Sequence, residues 1–199
     1  MNMYSIKHAE RVTTHFQLHP FAAGQITENL HVYGSLVRRS GAIEVAYMVE
    51  GALDRIRWPT ISQGTGRCHE LWRQSCFELF FGIKDEAAYW EVNLSPNGLW
   101  NVYSFADYRT GMREERSVGQ PVCRVVRDGN LLSLTCTLDF NGLIDDCADL
   151  ELGVSSVLQA IDRSASYWAI DHHGRKPDFH DRKSFSVVLS GAKELNNEY

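Results

Sequence analysis

The chain has 199 residues, 44% of them hydrophobic and 23% charged, with a formal net charge of −5 and a pI near 5.9. That length supports one sizeable core, so a single domain over residues 1–199 is expected, with its core over about residues 30–190. The acidic balance argues against nucleic acid and anionic membrane surfaces as partners, and no run approaches the ~18 apolar residues of a bilayer-spanning helix.

The opening stretch MNMYSIKHAERVTTHFQLHP lacks an apolar signal-peptide core, so a cytoplasmic location is expected. Five cysteines, Cys68, Cys76, Cys123, Cys136 and Cys147, are odd in number and show no CxxC spacing. They read as free thiols packed as small hydrophobes, with an intermolecular disulfide as the alternative. In chain order, Leu30–Val37 and Ile43–Val49 form a first strand pair around Arg39-Ser40-Gly41. Leu53–Trp58 follows as a strand ended by Pro59, and residues 61–70 read as a loop. Cys76–Ile83, Ala88–Leu94 and Leu99–Phe105 make a meander. Val122–Val126 and Leu131–Leu138 flank Asp128-Gly129, a hairpin signal. Asn141–Asp149 offers room for a short helix. Leu150–Ile161, Tyr167–Ile170 and Phe185–Leu189 complete about ten strands, and the polar tail Lys193–Tyr199 is expected to fray. The spacing predicts an all-β fold, an antiparallel β-sandwich or jelly roll.

Side chains alternate across a strand, so hairpin register decides which residues share a face. A Lys84–Ala87 connection sets Glu78 opposite Asn93 and Phe80 opposite Glu91. Phe77, Leu79, Phe81, Trp90, Val92 and Leu94 then form a core face. Cys76, Glu78, Phe80, Tyr89, Glu91 and Asn93 form a polar face with aromatic inserts. Reading Pro96-Asn97-Gly98 as a two-residue turn adds Trp100, Val102 and Ser104 to the polar face, and Tyr103 and Phe105 to the core.

Trp72, Glu78, the Tyr89-Trp90-Glu91 strand and Ser95-Pro96-Asn97-Gly98, with Tyr167-Trp168-Ala169 and Pro177-Asp178-Phe179-His180 downstream, resemble the family-9 carbohydrate-binding modules. The pattern looks closest to the intracellular DOMON-like proteins related to them, over about residues 30–190. The resemblance implies an antiparallel β-sandwich that holds a terminal sugar between two tryptophans, with a carboxylate, an Arg and an amide on its hydroxyls. It places Trp72 and Glu78 in the first tryptophan and carboxylate positions, and Trp168 in the second tryptophan position. Arg109, Arg113 and Asn93 are candidates from this chain's own geometry, as is Trp100. The expected partner is a small carbohydrate-like ligand, met by indole on its C–H face and by charge-assisted hydrogen bonds on its rim.

Plainer readings stand beside each of these. Trp72 also suits a loop plug, Trp168 a core position, Glu78 a solvated strand residue, and Arg109 and Arg113 a surface loop. Glu78 with Glu91 admits a glycosidase pair, although nothing else in the chain reads as a substrate cleft. His172, His173 and His180 lack a recognised zinc spacing. No cofactor and no metal are expected. Haem held by Met112 or Met48 with His180, and calcium in a sandwich loop, remain the alternatives.

Overall fold

A computed structural model describes residues 12–24, 26–60, 64–140 and 142–191. Thirteen strands run β1 (Thr13–Pro20), β2 (Leu30–Arg39), β3 (Ala42–Gly51), β4 (Gly66–Arg67), β5 (Cys76–Ile83), β6 (Tyr89–Leu94), β7 (Leu99–Phe105), β8 (Arg113–Glu114), β9 (Val122–Asp128), β10 (Leu131–Asp139), β11 (Leu150–Gln159), β12 (Ala165–Ala169) and β13 (Val187–Leu189). They build two facing layers, an all-β sandwich whose pairings are antiparallel except for the short β4–β7 contact. One layer has the order β1-β2-β3-β10-β9, and the other β4-β7-β6-β5-β11-β12. Strand β1 belongs to both. Its residues Thr13–Leu18 pair with β2, and His19 and Pro20 pair with β12.

The alternation in β2, β3 and β10 delivers Val32, Leu36, Val45, Val49, Leu134 and Leu138 to the interior. From the facing layer come Phe77, Leu79, Phe81, Val92, Leu152 and Val154, all at most 1% exposed. Tyr47 bridges the layers: its ring lies 4.8 Å from that of Phe77, and its hydroxyl donates to the Glu78 carbonyl at 2.7 Å. This pairs the one polar atom of a buried aromatic and fixes how the sheets stack. At one end, the Arg38 guanidinium donates to the carbonyls of Ala148, Leu189, Asp145 and Asp146 at 2.6–3.2 Å. That single side chain ties β2 to the 145–149 loop and to the end of β13.

Several sequence-based expectations need correction. Leu53–Arg55 is a 3-10 turn, not a strand. Leu53 is 2% exposed, and the Trp58 indole donates to its carbonyl at 3.0 Å. Residues 142–149 form turns and no helix. The sheet starts at Thr13, ahead of the expected core, because Phe16 and Leu18 alternate inward from an otherwise polar stretch. The β9–β10 turn is Gly129-Asn130, one residue later than expected, with Asp128 paired to Leu131. The same register sets Cys123 opposite Cys136 with Cα atoms 4.1 Å apart, and the two form a disulfide rather than remaining free. Free thiols remain at Cys68 and Cys76. The tail from Lys193 lies outside the described residues.

Candidate ligand-binding cleft

The second layer turns one face to the core and the other to a set of covering loops. On that outer face, cross-strand rows read directly from the register. One row is Asn101, Asn93, Glu78, Ser155 and Ala169; the next is Tyr103, Glu91, Phe80 and Gly153. The expected β5–β6 pairing, with Glu78 opposite Asn93, is the observed one. The expected β6–β7 pairing is not.

The Pro96-Asn97-Gly98 connection is a three-residue loop. Gly98 N–H donates to the Ser95 carbonyl at 3.0 Å, and Ser95 N–H to the Leu99 carbonyl at 2.8 Å. Gly98 sits at φ 91°, the positive-φ position of a type I turn closed by a bulge. The extra residue reverses parity on β7, so Trp100 lies opposite Leu94 and Val102 opposite Val92, both on the core face. Trp100 is therefore a core residue, 4% exposed beneath the Arg67 guanidinium, and not a ligand platform. Tyr103 and Phe105 take the outer face instead.

Glu78, Phe80, Glu91 and Phe105 form the floor of a cleft of about 340 Å³, walled by Trp72, Arg109, Met112, Val157, Tyr167, Pro177, Phe179 and His180. Trp72 rides on the 3-10 turn Leu71–Arg73, reached through Glu70 at φ 60°, and meets Tyr103 edge-on at 5.6 Å. Behind the floor, Tyr89 stacks on Phe105 at 4.8 Å, and His180 stands edge-on to Phe80 and Phe105, each at 5.1 Å. Two loops close over this layer. Arg109, at φ 50°, donates its N–H to the Tyr89 hydroxyl at 3.1 Å and pairs with Asp178 at 2.8 Å. Tyr108 donates to the same Asp178 at 2.6 Å, which clips the 106–110 turn to the 177–180 segment.

The electrostatics are dominated by burial. Glu78 and Glu91 are only 3% and 4% exposed. Desolvation, and for Glu78 the neighbouring Glu91 charge, push both carboxyls far above the usual range, Glu78 to about 8 and Glu91 to about 7. Ser155 donates to Glu78 at 3.1 Å and Asn93 to Glu91 at 2.7 Å. His180 is pushed down to about 4, by burial and then by the Arg109 charge. It is therefore neutral at pH 7, and its 3.7 Å approach to Glu91 is not an ion pair. The Tyr89 hydroxyl accepts from Arg109 and shares a hydrogen bond with His180 Nδ1 at 2.8 Å, in which we assign the hydroxyl as donor. That assignment puts the imidazole proton on Nε2, 3.7 Å from Glu91.

Of the residues singled out from the sequence, Trp72, Glu78 and Arg109 line this cleft, and Asn93 lies beneath it holding Glu91. Trp168 does not. Strand β12 turns it inward opposite Ser156, where it is 1% exposed and its indole donates to Ser166 at 2.9 Å; its neighbour Tyr167 faces the cleft. Arg113 also falls elsewhere: β8 places it beside Ser104, to which it donates at 3.1 Å, on the opposite face of the sheet. Sequence reasoning put Phe80 on the polar face without naming it a site residue, and did not single out Phe105, Tyr167 or Phe179 as lining residues. The bulged turn, once recognised, supplies Phe105; the Asp178-Phe179-His180 run carries Phe179 with His180. Met112 and His180, raised as haem ligands, both reach the cleft, but His180 is already engaged by Tyr89 and faces Glu91. Among the described residues, no group of three or more His, Cys, Asp or Glu side chains is placed to hold a metal ion.

No family model and no curated protein matches the chain. Solved structures do. A protein from Bacteroides uniformis ATCC 8492, described as a candidate carbohydrate-binding protein, superimposes with a TM-score of 0.61 at 13% identity, over 88% of this chain and 86% of its own. A family-9 carbohydrate-binding module from Caldicellulosiruptor kristjanssonii, solved with glucose, gives a TM-score of 0.49 at 11% identity, over 89% and 84%. The same organism's family-9 module with cellotriose gives 0.47 at 8%, over 79% and 72%. At these identities what is shared is the fold, and it is the sandwich of the Bacteroides protein.

Proposed function

We propose that this chain is a non-catalytic binding protein whose cleft takes a carbohydrate or a similar polar ring. The observation that carries this reading is one cleft joining aromatic walls to buried hydrogen-bonding groups. Trp72, Phe105, Tyr167 and Phe179 offer apolar planes, and Glu78, Glu91, Arg109 and His180 offer polar atoms. A sugar ring presents the matching surfaces. The Bacteroides protein's description supports the same ligand class. The two carboxyls rise side by side from adjacent strands of one floor.

Calorimetric titration with mono- and disaccharides, backed by a glycan array, tests the proposal. A single site at micromolar strength or weaker is expected, roughly −5 to −8 kcal/mol. Trp72→Ala removes one wall without touching the buried floor, and should weaken binding on the order of tenfold or more. Unchanged affinity in that variant would show that the ligand sits elsewhere. A visible absorption band in purified protein, or on haem addition, would instead favour the haem reading.

A further inference from the structure

We propose that the cleft prefers an amine-bearing sugar, with the ammonium group seated between Glu78 and Glu91; this rests on the carbohydrate reading above. Buried carboxyls are costly unless paired, and these two lack a cationic partner. Among the described residues, no Lys or Arg nitrogen lies within 4.0 Å of either carboxylate. Glu78 accepts from Ser155 through one oxygen, and its other oxygen takes no hydrogen bond from a described residue although the group faces the cleft. Glu91 has Asn93 on one oxygen and the distant His180 on the other. Arg109, whose charge reaches both carboxyls from beyond 4.0 Å, is already ion-paired with Asp178 at 2.8 Å. A neutral sugar hydroxyl brings no charge to offset ionised carboxylates, whereas an ammonium ion donates to both and favours their charged forms.

The walls fit the same ligand. Phe80 and Phe105 on the floor and Trp72 above line the same cleft as the carboxyls, and aromatic surroundings stabilise a desolvated cation. The other ionisable groups facing this pair are Cys76, Tyr89 and Tyr103 on the sheet, and Tyr108, Arg109, Asp178 and His180 on the covering loops. None of these supplies a free positive charge: His180 is neutral and Arg109 is paired.

The test compares three hexosamines with their parent hexoses and N-acetylated forms by calorimetry at about pH 7, in buffers of different ionisation enthalpy. At least one amine should bind on the order of tenfold tighter than its parent hexose and its N-acetyl form, with release of protons as the carboxyls ionise. Glu78→Gln and Glu91→Gln, which keep shape and hydrogen-bonding capacity, should each reduce the amine to parity with the hexose; circular dichroism confirms that they fold. Neutral sugars binding as tightly as their amines would overturn the amine preference while leaving carbohydrate binding intact. Failure of every monosaccharide and of the glycan array would sink both readings together.

Discussion

Replacing Glu78 by Gln should flatten the alkaline limb of this protein's stability profile. In the folded chain the Glu78 carboxyl is 3% exposed, and burial followed by the Glu91 charge carries its pKa from 4.5 to about 8. The folded state therefore binds this proton more tightly than the unfolded chain does. Its contribution is fully present below pH ~4.5 and is lost as pH rises toward about 8, where the folded carboxyl ionises in place. At ~1.4 kcal/mol per pH unit, the gap between those two values sets a ceiling on the order of 5 kcal/mol. Glu78 and Glu91 relieve each other when either holds a proton, so roughly half that ceiling, ~2–3 kcal/mol, is expected from removing one of them. For a chain of this length it corresponds to about 4–12 °C in Tm. Thermal unfolding of both proteins between about pH 5 and pH 9 at fixed ionic strength measures it. The wild type should lose Tm relative to Glu78→Gln as pH rises. Parallel curves across that range would mean that water reaches the carboxyl freely and that the floor of the cleft is not dry.

Other perturbations separate structural from binding roles. Trp168→Ala removes a large, fully buried core side chain and should cost about 3–5 kcal/mol in urea unfolding; sugar affinity measured on the remaining folded protein should change little. Gly98→Ala places a Cβ at φ 91° and 3.1 Å from Thr65 Cγ2, and should cost about 1–2 kcal/mol by the same measurement. Arg38→Met keeps length but abandons four carbonyl acceptors, so a loss of about 2–4 kcal/mol is expected in thermal unfolding. Hydrogen exchange in that variant should accelerate first at residues 145–149.

Much of the fold is legible in the chain, because two-residue alternation and turn chemistry are local. The β2–β3 and β5–β6 registers follow from such signals, and Trp90 packs against the core as expected, stacked on Phe81 at 5.2 Å. Failure came where one residue decided a whole face. Counting Pro96-Asn97-Gly98 as two loop residues sent Trp100 outward and Tyr103 inward, the reverse of what the bulge at Gly98 dictates. Leu53–Trp58 reads as a strand because apolar residues recur in it, yet 3-10 geometry buries Leu53 equally well. Glu78 and Trp72, singled out from the sequence, both line the cleft. Phe179 and His180 were noted only through the Pro177-Asp178-Phe179-His180 run, and His180 as a haem ligand; their place beside Glu91 rests on contacts about ninety residues apart that no local pattern encodes. The Cys123–Cys136 bond has the same cause: cross-strand proximity follows from register, not from spacing along the chain.

The clip that joins Arg109, Tyr108 and Asp178 also sets two timescales in one site. Beneath it, the carboxyls belong to paired strands at the centre of a sheet, whose opening demands much of the global unfolding free energy. Above it, the two loops are clipped to each other by an ion pair about half exposed at Arg109 and by the Tyr108 hydroxyl, contacts of the kind that break and reform in nanoseconds to microseconds. Releasing Asp178 would loosen those loops, with Arg109 and His180 on them, while Glu78 and Glu91 stay fixed in the sheet. Recognition and residence time are consequently separable: substitutions at residues 106–112 and 177–180 should tune how long a ligand stays, and those at Glu78 and Glu91 which ligand it is.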